Sequence, residues 1–195
     1  MALIQPDRIA ESGAPVRQMY ARQAQTFGYL PNYAELFSHR PDILESWASL
    51  QKGLRQHVSV RMFELVTFAA AVALKSSYCT LAHGVRLRAF FTDAEIASLA
   101  RGEFAGIVSD REAAAMSYAA QISLDANGVE APHIAGLRTL GCSDAEVFDI
   151  AAIAAGRAFF VKLVEGLGAL PDNAYQDLPA PLRQALTLGR PIASA

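Results

Sequence analysis

Glu64, Ser76, Tyr78, Cys79 and His83 fall within one apolar, alanine-rich stretch, ELVTFAAAVALKSSYCTLAHG, residues 64–84. A thiol, an imidazole and a carboxylate so close together are the equipment of a reactive cysteine, because the thiolate is the nucleophile and a neighbouring base creates it. Ser76, Cys79 and His83 are spaced i, i+3, i+7, which puts them on one face of a helix. Cys79 and His83, as i, i+4 neighbours, can meet directly or through one water. Lys75-Ser76-Ser77 reads as a helix boundary, so Cys79 sits in the first turn of a new helix. Free N–H groups and the helix dipole favour a negative charge there. Dipole and imidazole both act to lower the thiol pKa, and apolar burial acts against them. Glu64 belongs to the preceding helix and faces His83 if the two helices are antiparallel. It then orients the ring and stabilises its protonated form. A carboxylate among Met62, Phe63, Leu65, Val66 and Phe68 needs such a partner.

Taken singly, each residue has a plainer reading. Cys79 suits a small core position, His83 a satisfied core histidine, Glu64 a solvent-facing helix position and Ser76 a helix N-cap. The joint spacing favours chemistry. Cys79, His83, Glu64 and His133 could also ligate zinc, but the usual paired-cysteine spacing is missing. No metal or other cofactor is expected.

The elements that must hold these groups all read as helices, at about 15–27, 32–39, 41–54, 60–75, 77–90, 93–101, 110–124, 130–140 and 144–167. Capping boxes mark three starts: Thr92-Asp93-Ala94-Glu95, Ser109-Asp110-Arg111-Glu112 and Ser143-Asp144-Ala145-Glu146. Gly102, Gly128 and Gly141 stand where helices should end. A weak repeat relates His83-x3-Leu87-Arg88 and the following Thr92 box to His133-x3-Leu137-Arg138 and the Ser143 box. It suggests two related helical units, the second with no cysteine aligned with Cys79. The aromatics Trp47, Phe90, Phe91, Phe159 and Phe160 read as core or interface residues, and His39 and His57 as helix-end caps. Gly166-Leu167-Gly168 follows a helix and does not argue for nucleotide binding.

The chain has 195 residues, 52% of them hydrophobic and only 18% charged, which suits one domain with a large core and an oligomer that buries more surface. The net charge of −2 gives no footprint for nucleic acid, and no basic cluster suggests a membrane surface. The N-terminus lacks the pattern of a signal peptide, and the apolar run 65–74 is too short to span a bilayer. A cytoplasmic protein with both cysteines, Cys79 and Cys142, as free thiols is expected. The tail from Pro171 onward is expected to wrap over the surface or a partner chain, its last residues disordered.

Glu64-x11-Ser76-x2-Cys79-x3-His83 resembles the Glu-x11-Cys-x2-Cys-x3-His signature of AhpD-like alkylhydroperoxidases, in the carboxymuconolactone decarboxylase superfamily. Gly28-Tyr29-Leu30-Pro31-Asn32, His39-Arg40-Pro41 and Leu167-Gly168 resemble its peroxidase-related branch, so the likeness covers most of 25–172. The resemblance implies a single all-α AhpD-like domain over 1–195, with 173–195 as a tail, assembled as a dimer, trimer or hexamer. It implies that Cys79 attacks peroxide and that Glu64 and His83 relay its proton, with Tyr78 also in a familiar place. The chain departs from the signature at Ser76, where the family has its resolving cysteine. An external thiol reductant is therefore expected to reduce the sulfenic acid, with Cys142 a lesser candidate. Three functions stay open: a one-cysteine thiol peroxidase, a decarboxylase in which His83 is the acid or base with Arg61, Arg86 or Arg88 as anchor, and a non-catalytic redox-sensing helical oligomer.

Overall fold

The computed structural model describes residues 2–6 and 12–194. Among them there is no strand, and ten α-helices follow in order: α1 (Ala14–Phe27), α2 (Asn32–Leu36), α3 (Pro41–Leu54), α4 (Val60–Ala73), α5 (Ser77–Leu87), α6 (Asp93–Ala100), α7 (Asp110–Leu124), α8 (Ala131–Thr139), α9 (Asp144–Gly166) and α10 (Ala180–Leu186). The chain is all-α, as its sequence suggests. None of the described helices is long and apolar enough to cross a membrane.

The middle of the molecule is α4. Its residues from Phe63 to Ala71 are buried without interruption, as expected of a helix that is apolar all round. It packs against α5, α7 and α9. Phe63, Phe68, Leu81, Leu87, Ile96, Leu99, Met116 and Ile153 fill one core. A second core joins α1–α3 to α9 and the start of α5 through Met19, Tyr20, Phe37, Trp47, Tyr78, Phe160 and Val164, and Cys79 belongs to it.

All three capping boxes form. Thr92, Ser109 and Ser143 accept from the backbone N–H three residues on, and Glu95, Glu112 and Glu146 reach back. The repeat maps onto α5–α6 and α8–α9, and its shared leucines, Leu87 and Leu137, are both buried. Its histidines diverge. His83 is buried, whereas His133 is exposed and its Nδ1 accepts from Glu130 N at 2.9 Å to start α8. That local role removes His133 from any metal set, and no cluster of metal-ligating residues occurs among the described residues.

The tail departs from its expected form. It holds a helix, α10, that sequence periodicity misses because seven residues are too few to show a period. Its Leu182 and Leu186 are buried, and α10 packs on α5 and α6 of the same chain. A Cβ at Gly84 would stand 2.4 Å from Leu186 Cδ1, so any larger residue there would make the leucine side chain shift. Beyond it, Gly189 N donates to Ser77 Oγ at 2.7 Å, and Arg190 Nη2 donates to Glu165 O at 3.1 Å. The tail thus straps the turn where α5 begins.

That turn is strained at one residue. Lys75 closes α4 with φ 53°, the left-handed conformation in which a Cβ crowds the following carbonyl. Lys75→Gly is expected to raise stability by about 0.5–1 kcal/mol, the relief of strain exceeding the added chain entropy. A lowered urea midpoint would contradict this.

Candidate functional site

Antiparallel packing of α4 and α5 brings Glu64 to His83. His83 Nδ1 lies 2.5 Å from Glu64 Oε2, with both side chains almost wholly buried. The remaining carboxylate oxygen is shared by two guanidinium groups, Arg86 Nη1 at 3.4 Å and Arg55 Nη2 at 3.9 Å. Against the upward push of burial, the His83 hydrogen bond first, and then the two guanidinium charges, keep Glu64 ionised with a pKa below the usual carboxylate range. A carboxylate only accepts, so the hydrogen-bond network assigns the ring proton to Nδ1 and leaves Nε2 as the free acceptor.

Cys79 occupies the third position of α5. Its N–H donates to Ser76 Oγ, the N-cap, at 3.3 Å. The Ser76 hydroxyl donates in turn to Glu165 Oε1 at 2.7 Å, and Arg190 Nε is 3.4 Å from Glu165 Oε2. The position that could hold a resolving thiol is thus a buried capping bond anchored by α9 and the tail.

The Cys79 thiol makes no direct hydrogen bond to the His83 ring. Its polar partner is Arg157, whose Nη1 donates to Sγ at 3.7 Å. Burial pushes the thiol pKa up, against the pull of Arg157 and the neighbouring Ser76 hydroxyl. Burial and Arg157 push His83 down to about 4, against the pull of Glu64. The resting site therefore holds a neutral thiol and a neutral imidazole. Of the opposing influences that the sequence shows, burial outweighs the rest, because the thiol is almost wholly covered.

Arg157 is the residue that sequence reasoning misses. It lies on α9 within IAAIAAGRAFFVKLV and is 6% exposed, and among the described residues it has no carboxylate partner and its Nε no hydrogen-bond partner. It stacks beside Trp47 and Phe160, with Cζ 5.6 and 5.4 Å from the ring centroids. An arginine inside the apolar run from Ile150 to Val161 was the available signal, since a buried cation needs a reason.

These groups open onto one cavity of about 410 Å³, lined by Cys79, His83 and Arg157. Trp47 and Phe160, which the sequence assigns to packing alone, form its wall with Tyr33, Tyr78 and Tyr175. Tyr78 makes no hydrogen bond to the thiol. Its hydroxyl donates to Asp172 Oδ1 at 2.7 Å, and Asp172 also accepts from Asn32 N at 2.7 Å and Tyr29 OH at 3.2 Å. Arg61 and Arg88 are held elsewhere by Glu112 and Asp93, so of the three anchors suggested by sequence only Arg86 reaches the cavity. Cys142 accepts from Arg111 Nε at 3.4 Å and lines a different cavity, of about 190 Å³.

The depressed His83 has a consequence for stability. Its folded pKa lies below the unfolded value near 6.5, so the unfolded chain binds the extra proton between about 4 and 6.5. This stabilising contribution is complete above that window and is lost as pH falls through it. Between pH 7.5 and 5 the wild type should lose about 2 kcal/mol more than His83→Gln. Parallel urea midpoints for the two proteins would refute the assignment.

An all-α fold that brings a buried thiol and a carboxylate-held imidazole to one cavity defines a helical thiol protein. Residues 41–121, from α3 into α7, match the carboxymuconolactone decarboxylase family. The fold is that of a peroxidase-related AhpD-core protein from Ralstonia eutropha JMP134, with TM-score 0.78 and 21% identity over 89% of this chain and 94% of that one. A peroxidase-related protein from Silicibacter sp. TM1040 gives TM-score 0.70 and 16% identity over 90% and 92%. The debrominase Bmp8 gives TM-score 0.71 and 17% identity over 94% and 96%. No curated protein matches. The chain shares the all-α fold of these proteins.

Proposed function

We propose that the protein is a thiol-dependent peroxidase with Cys79 as its one reacting cysteine. The observation that carries this is the cavity wall itself, where a thiol bonded to an unpaired guanidinium lies on the same helix face as an imidazole held by a carboxylate. Peroxide enters the cavity, and His83 Nε2 accepts the Cys79 proton through an intervening water or the peroxide. Arg157 then faces a thiolate and Glu64 an imidazolium, so both new charges meet fixed counter-charges. The thiolate attacks the terminal peroxide oxygen, forming S–O as O–O breaks. Sulfur loses two electrons, and the leaving alkoxide takes the proton from His83 and departs as alcohol. One external thiol converts the sulfenic acid to a mixed disulfide with release of water, and a second restores Cys79. Ser76 cannot take the first of these roles, and Cys142 faces another cavity.

The test uses the Cys142→Ser protein with cumene hydroperoxide. Dimedone should trap one sulfenic acid per chain, and dithiothreitol should support turnover that Cys79→Ser lacks. Trapping without turnover would favour a non-catalytic redox sensor. Absence of trapping would overturn the proposal. A second reading, thiol-dependent dehalogenation of a halogenated aromatic, draws support from the aromatic wall and the debrominase among the structural neighbours. Halide release from such a compound with dithiothreitol would distinguish it.

A further inference from the structure

We propose that the cavity selects an organic substrate with a flat apolar body and an anionic group, the anion meeting Arg55 and Arg86 at the mouth while the reacting end reaches Cys79. For the reaction this rests on the peroxidase reading and makes the substrate a carboxylate-bearing organic hydroperoxide rather than hydrogen peroxide. Four basic side chains, Lys52, Arg55, Arg86 and Arg157, line the cavity against one acid, Asp172, which is already occupied by its three hydrogen bonds. At the mouth, Arg55 and Arg86 converge on a single Glu64 oxygen at 3.9 and 3.4 Å, and that carboxylate also serves His83. One shared negative charge leaves the pair with spare N–H donors. Their side chains are 47% and 43% exposed, so they can turn to a ligand without unfolding anything.

Deeper in, Arg157 is buried, and among the described residues its Nε has no partner and its guanidinium no acid. A protein that keeps an uncompensated cation beside its cavity sets a positive field there, which low dielectric strengthens. The wall supplies the other half of the recognition. Trp47 and Phe160 stack at 5.2 Å and 17°, and Tyr33 meets Phe160 edge-on at 5.4 Å. A peroxide of two oxygens would touch none of this, whereas a planar body fits it and gains apolar burial.

The chain has a single tryptophan, and it lines the cavity, so its fluorescence reports binding directly. Cys79→Ser protein would be titrated with 4-isopropylbenzoate and with the uncharged 4-isopropylbenzamide. The carboxylate should bind about tenfold more tightly, a preference typical of charge-assisted pairing. Adding Arg55→Gln and Arg86→Gln should erase the preference, while the Arg→Lys pair keeps most of it. In the Cys142→Ser enzyme, kcat/KM should favour para-carboxy cumene hydroperoxide over cumene hydroperoxide by a similar factor. Equal binding of acid and amide would overturn the anion site even if peroxide is turned over. A carboxylate preference without peroxide turnover would uphold the site and overturn the peroxidase reading.

Discussion

His83→Ala should slow peroxide oxidation of Cys79 by about 10²–10⁴-fold, the usual worth of a positioned general base. The reason lies in the resting charges. Burial keeps both thiol and imidazole neutral, so a thiolate arises when its proton has somewhere to go. Nε2 is that place, because Nδ1 is committed to Glu64 at 2.5 Å. Glu64→Gln should cost less in rate but should flatten the acid limb of the profile, since an amide holds the ring without stabilising an imidazolium. Stopped-flow oxidation of Cys142→Ser protein, with each change added, measures both effects. A His83→Ala rate within threefold of the parent would mean that the thiol ionises directly to solvent and that the Glu64–His83 pair is structural.

Arg157→Met should lower the rate of Cys79 alkylation by iodoacetamide about 3- to 30-fold at pH 8 while leaving the thermal midpoint unchanged or higher. A cation this close to a thiol favours the thiolate, so its loss raises the thiol pKa. Each unit of rise removes tenfold of the thiolate, and greater intrinsic nucleophilicity returns about half of that on a logarithmic scale. The stability expectation follows from the missing acid. Removing a buried cation with an unpartnered Nε relieves desolvation, offset by the loss of its contacts with Trp47 and Phe160. Methionine fills a similar volume. A variant that melts early with an unchanged alkylation rate would make Arg157 a packing residue instead.

The two changes address different charges, so they also separate different failures. Loss of the base removes the route by which the proton leaves. Loss of the guanidinium removes the partner of the anion left behind. If His83→Ala alone slows oxidation, proton transfer limits the site. If Arg157→Met alone does so, thiolate stability limits it.

Local features were legible in the sequence because local chemistry determines them. The three capping boxes formed as written, since side chain and backbone partners lie three residues apart. The α4–α5 boundary was set by Ser76 as N-cap, and from it followed the position of Cys79 in the first turn and the approach of Glu64 to His83. Apolar, alanine-rich composition and helical periodicity sufficed for an all-α fold. Tertiary structure decided what distant segments bring to the thiol. Arg157 stands 78 positions from Cys79, and no spacing rule links them. Asp172 reaches Tyr78 across 94 positions, and the tail reaches Ser77 across 112. The same packing removed the thiol from water and so decided the balance that the sequence left open, because desolvation depends on every helix that covers a residue rather than on its neighbours in the chain.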